Sequence, residues 1–157
     1  QGFYRALADQ GMSYLQFPTV AGHAPYYQSP NYDLFWINSY TSNKRSEFFF
    51  NLIRQGIGYR DNTHFKPDLI KWVKTFQSPQ DLDSIFSEAV RRLIGFELDD
   101  SVNQNLKSFL LNGIDKNHWT ELWQMESNLS FPNNQTLENQ LIRFVSSLMK
   151  LNEFNLY

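Results

Sequence analysis

Residues 133–149, NNQTLENQLIRFVSSLM, are the stretch of sequence that decides the fold class. Apolar residues recur here three or four positions apart and form one stripe, which further apolar residues widen: Leu137, Leu141, Phe144 and Leu148, with Ile142, Val145 and Met149. A stripe this wide is typical of a helix that is buried on more than one side. We therefore predict a helix that begins at Asn133-Asn134 and is surrounded by other helices.

The segments that precede this helix have the same periodicity and are separated by start and stop signals. The first predicted helix covers Phe3–Leu15. Later helices are predicted to start at Thr41-Ser42-Asn43, Pro67, Ser78-Pro79, Asp99-Asp100-Ser101 and Asn117. Helix ends are predicted at Gly56, Gly95 and Gly113. No segment has the period-two alternation of a strand. The pattern predicts an all-α fold, an irregular bundle of about six or seven helices that forms a single domain over residues 1–157 around an aromatic-rich core.

One segment, at about residues 16–40, lacks helical periodicity. It contains Pro18, Gly22, Pro25 and Pro30, and we predict that it forms one long ordered loop. Loops of this length are uncommon in compact domains and often have a function. A second, shorter loop is predicted over residues 56–63.

Composition limits the classes of partner. The chain of 157 residues has a net charge of −2 and no cysteine, and its basic residues do not cluster, so we expect no nucleic-acid partner. No apolar run reaches the roughly 18 residues of a membrane span, so we expect no membrane-spanning helix. Aromatic residues make up 17% of the chain. They indicate either a core built from rings or an exposed recognition surface.

The sequence contains no catalytic motif that would identify a nucleophile, a phosphate loop or a zinc site. The histidines His23, His64 and His118 lie far apart. The carboxylates Glu97, Asp99 and Asp100 are compatible with a cation or acid–base site, but their position just before a helix favours a capping role. We predict no catalytic residue, no metal site and no cofactor in this chain.

Rings interleaved with amide, hydroxyl and guanidinium groups occupy residues 22–45. The candidate ligand-binding residues there are Tyr26, Tyr27, Gln28, Trp36, Asn38, Ser39 and Arg45. Such rings stack on flat ligands or sugar faces while polar groups fix the orientation. The same residues also suit a purely architectural loop, in which rings anchor the segment and amides satisfy its backbone.

This segment resembles a bacterial family called domain of unknown function eighteen hundred, in particular its members from Bacteroidetes. The blocks that carry the resemblance are PTVAG at 18–22, YYQSP at 26–30, WINS at 36–39 and Arg45. Later similarities are Ser78-Pro79, LLNG at 110–113 and EFNL at 153–156. The chain departs from the family at His23, where a tryptophan is usual.

The resemblance covers the C-terminal portion of longer proteins, which often look exported. It implies that this chain is the C-terminal scaffold or interaction module of a secreted or cell-envelope protein. Its expected partners are the N-terminal remainder of that protein, and another envelope protein or a glycan. Two alternatives stay open: recognition of a ligand such as a glycan by residues 22–45, and a hydrolase-like site that the missing N-terminal region completes, with contributions from His23, Asp33 and Arg45.

Overall fold

Helices dominate the computed structural model, which describes residues 2–11, 38–58 and 64–155. The elements are α1 (Gly2–Asp9), α2 (Ser39–Arg54), β1 (Ile57–Gly58), β2 (His64–Phe65), α3 (Leu69–Val73), α4 (Leu82–Leu93), α5 (Asp100–Leu111), α6 (Lys116–Glu126), α7 (Gln135–Met149) and α8 (Asn152–Asn155). The predicted all-α fold is confirmed. The described residues contain eight helices rather than six or seven, because the four-residue α8 follows α7.

The chain divides into two compact units, of which the first ends at Lys66 and the second begins at Pro67. In the first unit α1 packs against α2 and against β1. The ring of Phe3 meets the ring of Phe48 edge-on at 5.7 Å between centroids. The prediction of a single domain over residues 1–157 stays a prediction.

The second unit is organised around α7, which contacts α3, α4, α5, α6 and α8. Its apolar stripe is buried as the periodicity predicts: Leu137, Leu141, Phe144 and Leu148 are fully enclosed. Two ring pairs line the same core. Phe86 lies 5.9 Å from Phe144 between ring centroids, and Trp119 stacks on Trp123 at 6.2 Å. Each buried leucine or phenylalanine contributes roughly 1.5–3 kcal/mol through burial, so packing on α7 adds several kcal/mol to the stability of this unit.

Three helices are capped by aspartates that differ from the predicted start residues. The carboxylates of Asp68, Asp81 and Asp115 accept hydrogen bonds from backbone N–H groups of the first turns of α3, α4 and α6, at 2.8, 3.1 and 2.7 Å. The predicted starts at Pro67, Ser78 and Asn117 are therefore wrong by two or three residues. A carboxylate satisfies the free N–H groups and also complements the helix dipole.

Helix α2 begins inside the segment that was predicted to be a loop. Asn38 caps it, and Thr41, predicted as a cap, is instead the third helical residue. The predicted loop over residues 16–40 is thus wrong for its last two residues, Ser39 and Tyr40. Residues 16–37 lie outside the described residues, so the rest of that loop stays a prediction.

Two further differences concern helix α1 and the segment after α2. Helix α1 ends at Asp9, well before the predicted end at Leu15, and the backbone turns at Gly11 with a φ of +79°. After Gly56, where a stop was predicted correctly, β1 pairs antiparallel with β2, with Ile57 opposite Phe65. Period-two alternation cannot reveal strands of two residues.

The turn at Gly56 requires glycine. Its φ is +76°, and a Cβ added there would lie 2.5 Å from both the His64 Cε1 atom and the Phe65 carbonyl oxygen. A side chain would therefore be strained by the backbone and would also collide with β2. At Gly58 an added Cβ meets no atom within 4 Å.

One arginine joins the end of α3 to α4. The guanidinium of Arg92 donates to the Thr75 hydroxyl at 2.7 Å and to the Thr75 carbonyl at 3.1 Å, and it pairs with Glu88 at 3.1 Å. It also lies 4.4 Å from the centre of the Phe76 ring. Four contacts on one planar group fix the turn that follows α3.

Candidate functional site

Most of the predicted binding residues lie outside the described residues. This applies to the rings of Tyr26, Tyr27 and Trp36 and to the amide of Gln28. It applies equally to His23 and Asp33, which were considered as contributors to an enzymatic site. Ligand recognition by residues 22–45 and the hydrolase-like alternative therefore stay predictions.

The three candidates that the structure describes lie at the start of α2 and along it. The Asn38 side chain accepts from the Thr41 backbone N–H at 2.9 Å, and the Thr41 hydroxyl accepts from the Asn38 backbone N–H at 2.9 Å. Ser39 is exposed and Arg45 is half-buried. The Asn38 amide thus has a capping role, which the architectural interpretation anticipates.

A groove of about 910 Å³ lies between α4, the connection that follows it, and α5. Its lining combines apolar, hydroxyl and charged side chains: Asp83, Ser84, Phe86, Ser87, Val90, Arg91, Gly95, Phe96, Glu97, Leu98, Asp100, Asn103 and Lys107. It is larger than the second concavity described below. No local sequence pattern predicted it.

The apolar part of the groove consists of a buried floor and one accessible ring. Phe86, Val90 and Leu98 form the floor and belong to the core, whereas Phe96 is 40% exposed. The Asn103 side chain donates to the Leu98 carbonyl at 2.9 Å and so fixes the connection to the start of α5. An accessible ring above a rigid apolar floor offers a contact surface to a partner's apolar side chain.

At one end of the groove a carboxylate holds two ammonium groups. Asp83, near the start of α4, forms ion pairs with Lys116 and with Lys107, the latter at 2.9 Å. The hydrogen bond from Lys116, followed by that from Lys107, lowers the pKa of Asp83 below its ordinary value. Lys107 also lies 5.2 Å from the centre of the Phe86 ring. Asp81 also lies close enough to Lys116 to interact with its charge, so this end has no net positive charge.

The opposite end is acidic. Glu97, Asp99 and Asp100 are exposed, and none of them forms an ion pair or a side-chain hydrogen bond within the described part of the chain. The capping interpretation is wrong for Asp99: it occupies the position before α5, but its side chain makes no cap hydrogen bond. Its carboxylate does not satisfy the first turn, because it does not reach those N–H groups.

Arg91 faces the same groove. It is exposed and forms no ion pair among residues 2–11, 38–58 and 64–155, in contrast to its neighbour Arg92. Glu97 and Asp100 line the groove, and exposed Asp99 lies next to Asp100 in the chain, so the carboxylates at this end outnumber the one guanidinium. The net charge of the groove is therefore negative and concentrated at this end.

A second concavity of about 240 Å³ lies near the start of α7, lined by Asp68, Ile70, Lys71, Lys74, Ser127, Leu129 and Asn134. Most of its polar groups are already engaged. Asp68 caps α3, Lys74 donates to the Asn128 side chain at 3.2 Å, and Asn134 donates to the Leu129 carbonyl at 3.2 Å. The pocket is therefore a weaker candidate than the groove.

Within the described ranges no three histidine or acidic side chains converge to hold a metal ion. His64 is exposed on β2, and His118 lies 3.3 Å from Glu121 one turn along α6. Among these same residues no helix combines the length and apolar character needed to cross a membrane.

Comparisons with known proteins do not add to this picture: no family model, no curated protein and no solved structure matches the chain significantly. The resemblance to the bacterial family of unknown function therefore stays a prediction. The sequence nevertheless contained a signal for the exposed connection after α4, although not for the groove itself. Phe96 follows a predicted helix stop and precedes three carboxylates within four residues, an arrangement more typical of an exposed site than of a core.

Proposed function

We propose that this chain is a helical interaction module and that the groove between α4 and α5 binds a segment of another protein. The observation that carries the proposal is the groove's composition, with accessible Phe96 beside a buried apolar floor and charged side chains on both ends. Protein interfaces combine an apolar, aromatic centre with a polar rim in this way.

The distribution of charge favours an extended partner over a compact one. Asp83 and its lysines lie near the start of α4, while Glu97 and Asp100 lie beyond its end. The charges are thus separated by roughly the length of a helix of 12 residues, about 1.5 Å per residue. A peptide segment spans that distance, and its backbone and side chains reach both ends.

The wider context of the module is also part of the proposal. We infer from the family resemblance that the chain is the C-terminal part of a longer exported bacterial protein, located in the cell envelope or outside the cell. Fractionation of the bacterium that carries the gene, with an antibody raised against this chain, tests the location. Recovery of the full-length protein in the cytoplasm alone would contradict it.

Site-specific photo-crosslinking in cells tests the interaction itself. A photoreactive phenylalanine analogue is placed at Ser87, which is exposed on the groove wall, and in a matched variant at Gln124, which is exposed on α6 away from the groove. We expect a discrete crosslinked protein from the Ser87 position and none from Gln124. Equal crosslinking at both positions, or none at either, would contradict the proposal.

A further inference from the structure

We propose that the segment bound in the α4–α5 groove is basic and apolar: it places lysine or arginine side chains against Glu97, Asp99 and Asp100, and a large apolar side chain against Phe96. This inference rests on the proposed function and specifies the chemistry of the partner. It follows from which charges of the groove are already neutralised and which are not.

The acidic end is the part of the groove whose charges are not neutralised. Glu97, Asp99 and Asp100 lie within four consecutive residues, and each is exposed without an ion pair in the described part of the chain. Arg91 offsets one of the three charges at most. Like charges this close repel one another, and a cationic partner relieves that repulsion.

A bound metal ion is a poorer match for these carboxylates than a peptide. A cation such as Ca²⁺ needs several oxygen ligands about 2.3–2.6 Å from one point. No three acidic or histidine side chains of the described residues are arranged to hold one ion. Separate ammonium or guanidinium groups on a flexible segment can each approach a different carboxylate.

The other end of the groove is already neutralised, and this sets the direction in which the segment binds. Asp83 pairs with Lys107 and Lys116, and Asp81 interacts with the charge of Lys116, so the carboxylates there already have cationic partners. A second group of basic residues on the partner would gain no unpaired carboxylate at that end. We therefore expect the basic residues to lie on one side of the apolar anchor, and neutral or acidic residues on the other.

Selection from a random displayed-peptide library on the whole chain tests this chemistry. Bound clones are selected on the wild-type protein and counter-selected on two groove variants, Phe96→Ala and the triple substitution Glu97→Gln, Asp99→Asn, Asp100→Asn. Glu121→Gln, which removes an exposed carboxylate from α6, serves as the matched control. Thermal unfolding establishes that every variant is folded, and the triple variant changes only exposed side chains.

We expect the groove-dependent peptides to be enriched in lysine or arginine beside an aromatic or long aliphatic residue. For one synthetic peptide of this kind, measured by fluorescence anisotropy, the triple variant should weaken binding roughly tenfold, since three exposed ion pairs are each worth up to severalfold. Glu121→Gln should change binding less than about twofold. Raising the salt from about 0.05 to about 0.5 M should weaken binding to the wild-type protein as well.

Two outcomes would overturn the inference. They differ in whether the proposed interaction function also fails. Groove-dependent peptides that are acidic or uncharged would overturn the proposed chemistry but leave the interaction function in place. A selection in which no peptide distinguishes the wild type from either groove variant would overturn both proposals.

Discussion

Gln140 gives the sharpest test of the packing around α7. Its side chain is only 3% exposed, and its Oε1 atom has no hydrogen-bond partner among the described residues. An unsatisfied buried acceptor costs roughly 1–3 kcal/mol. Methionine has a similar unbranched shape and a similar helix propensity. We therefore expect Gln140→Met to raise the free energy of unfolding by about 1 kcal/mol.

The measurement is thermal and urea unfolding followed by circular dichroism. A stabilisation of that size should raise Tm by about 2–4 °C in a chain of this length. The control is Gln104→Met on α5, where the side chain is exposed; we expect a change within about 0.5 kcal/mol there.

Destabilisation by Gln140→Met would refute the reasoning, because it would mean that the amide makes a native interaction. If Gln104→Met raised the free energy of unfolding as much as Gln140→Met, the reasoning would also be refuted, since the stabilisation would then be independent of burial.

Three further predictions concern the glycine turn after α2, the arginine that joins α3 to α4, and the paired carboxylate of Asp83. Gly56→Ala should destabilise the first unit by more than about 1 kcal/mol through backbone strain and collision, while Gly58→Ala should be nearly neutral; hydrogen exchange across residues 51–66 distinguishes the two. Arg92→Ala should cost about 1–2 kcal/mol, from its hydrogen bonds and ring contact, whereas Arg91→Ala should leave urea unfolding unchanged. The pKa of Asp83 is lowered in the folded state, so its stabilising effect is present above the unfolded pKa of about 3.9 and is lost as the pH falls through the folded pKa. Asp83→Asn should therefore remove part of the acid dependence of unfolding below about pH 4 and cost less than about 1 kcal/mol at neutral pH.

The helices were predictable from sequence because their apolar periodicity is local. The stripe of α7 and the stops at Gly56, Gly95 and Gly113 follow from residues within a few positions of one another. Helix starts were less predictable, because several residues near each start can cap a helix. Ser78 and Asp81 are both good caps, for example, and only the backbone course of the preceding turn selects Asp81.

The groove depends on tertiary structure in a way that local patterns do not report. Periodicity places Phe86 correctly on a buried face, but it does not reveal that Phe96 remains accessible beside it. The position of Asp99 just before a helix predicted a capping carboxylate, yet its side chain makes no hydrogen bond to the first turn of α5. The backbone angles before the helix decide whether such a carboxylate caps the helix or remains available to bind a partner. Composition does not encode these angles.

The central position of α7 has a consequence for the order in which the protein is made. Helices α3, α4, α5 and α6 all pack on α7 and all precede it in the chain. During translation these four helices leave the ribosome before the surface that buries their apolar faces exists. Their apolar side chains are exposed in that interval, when nascent chains are most prone to aggregate and to bind chaperones. The synthesis of α7 therefore determines when the second unit can fold.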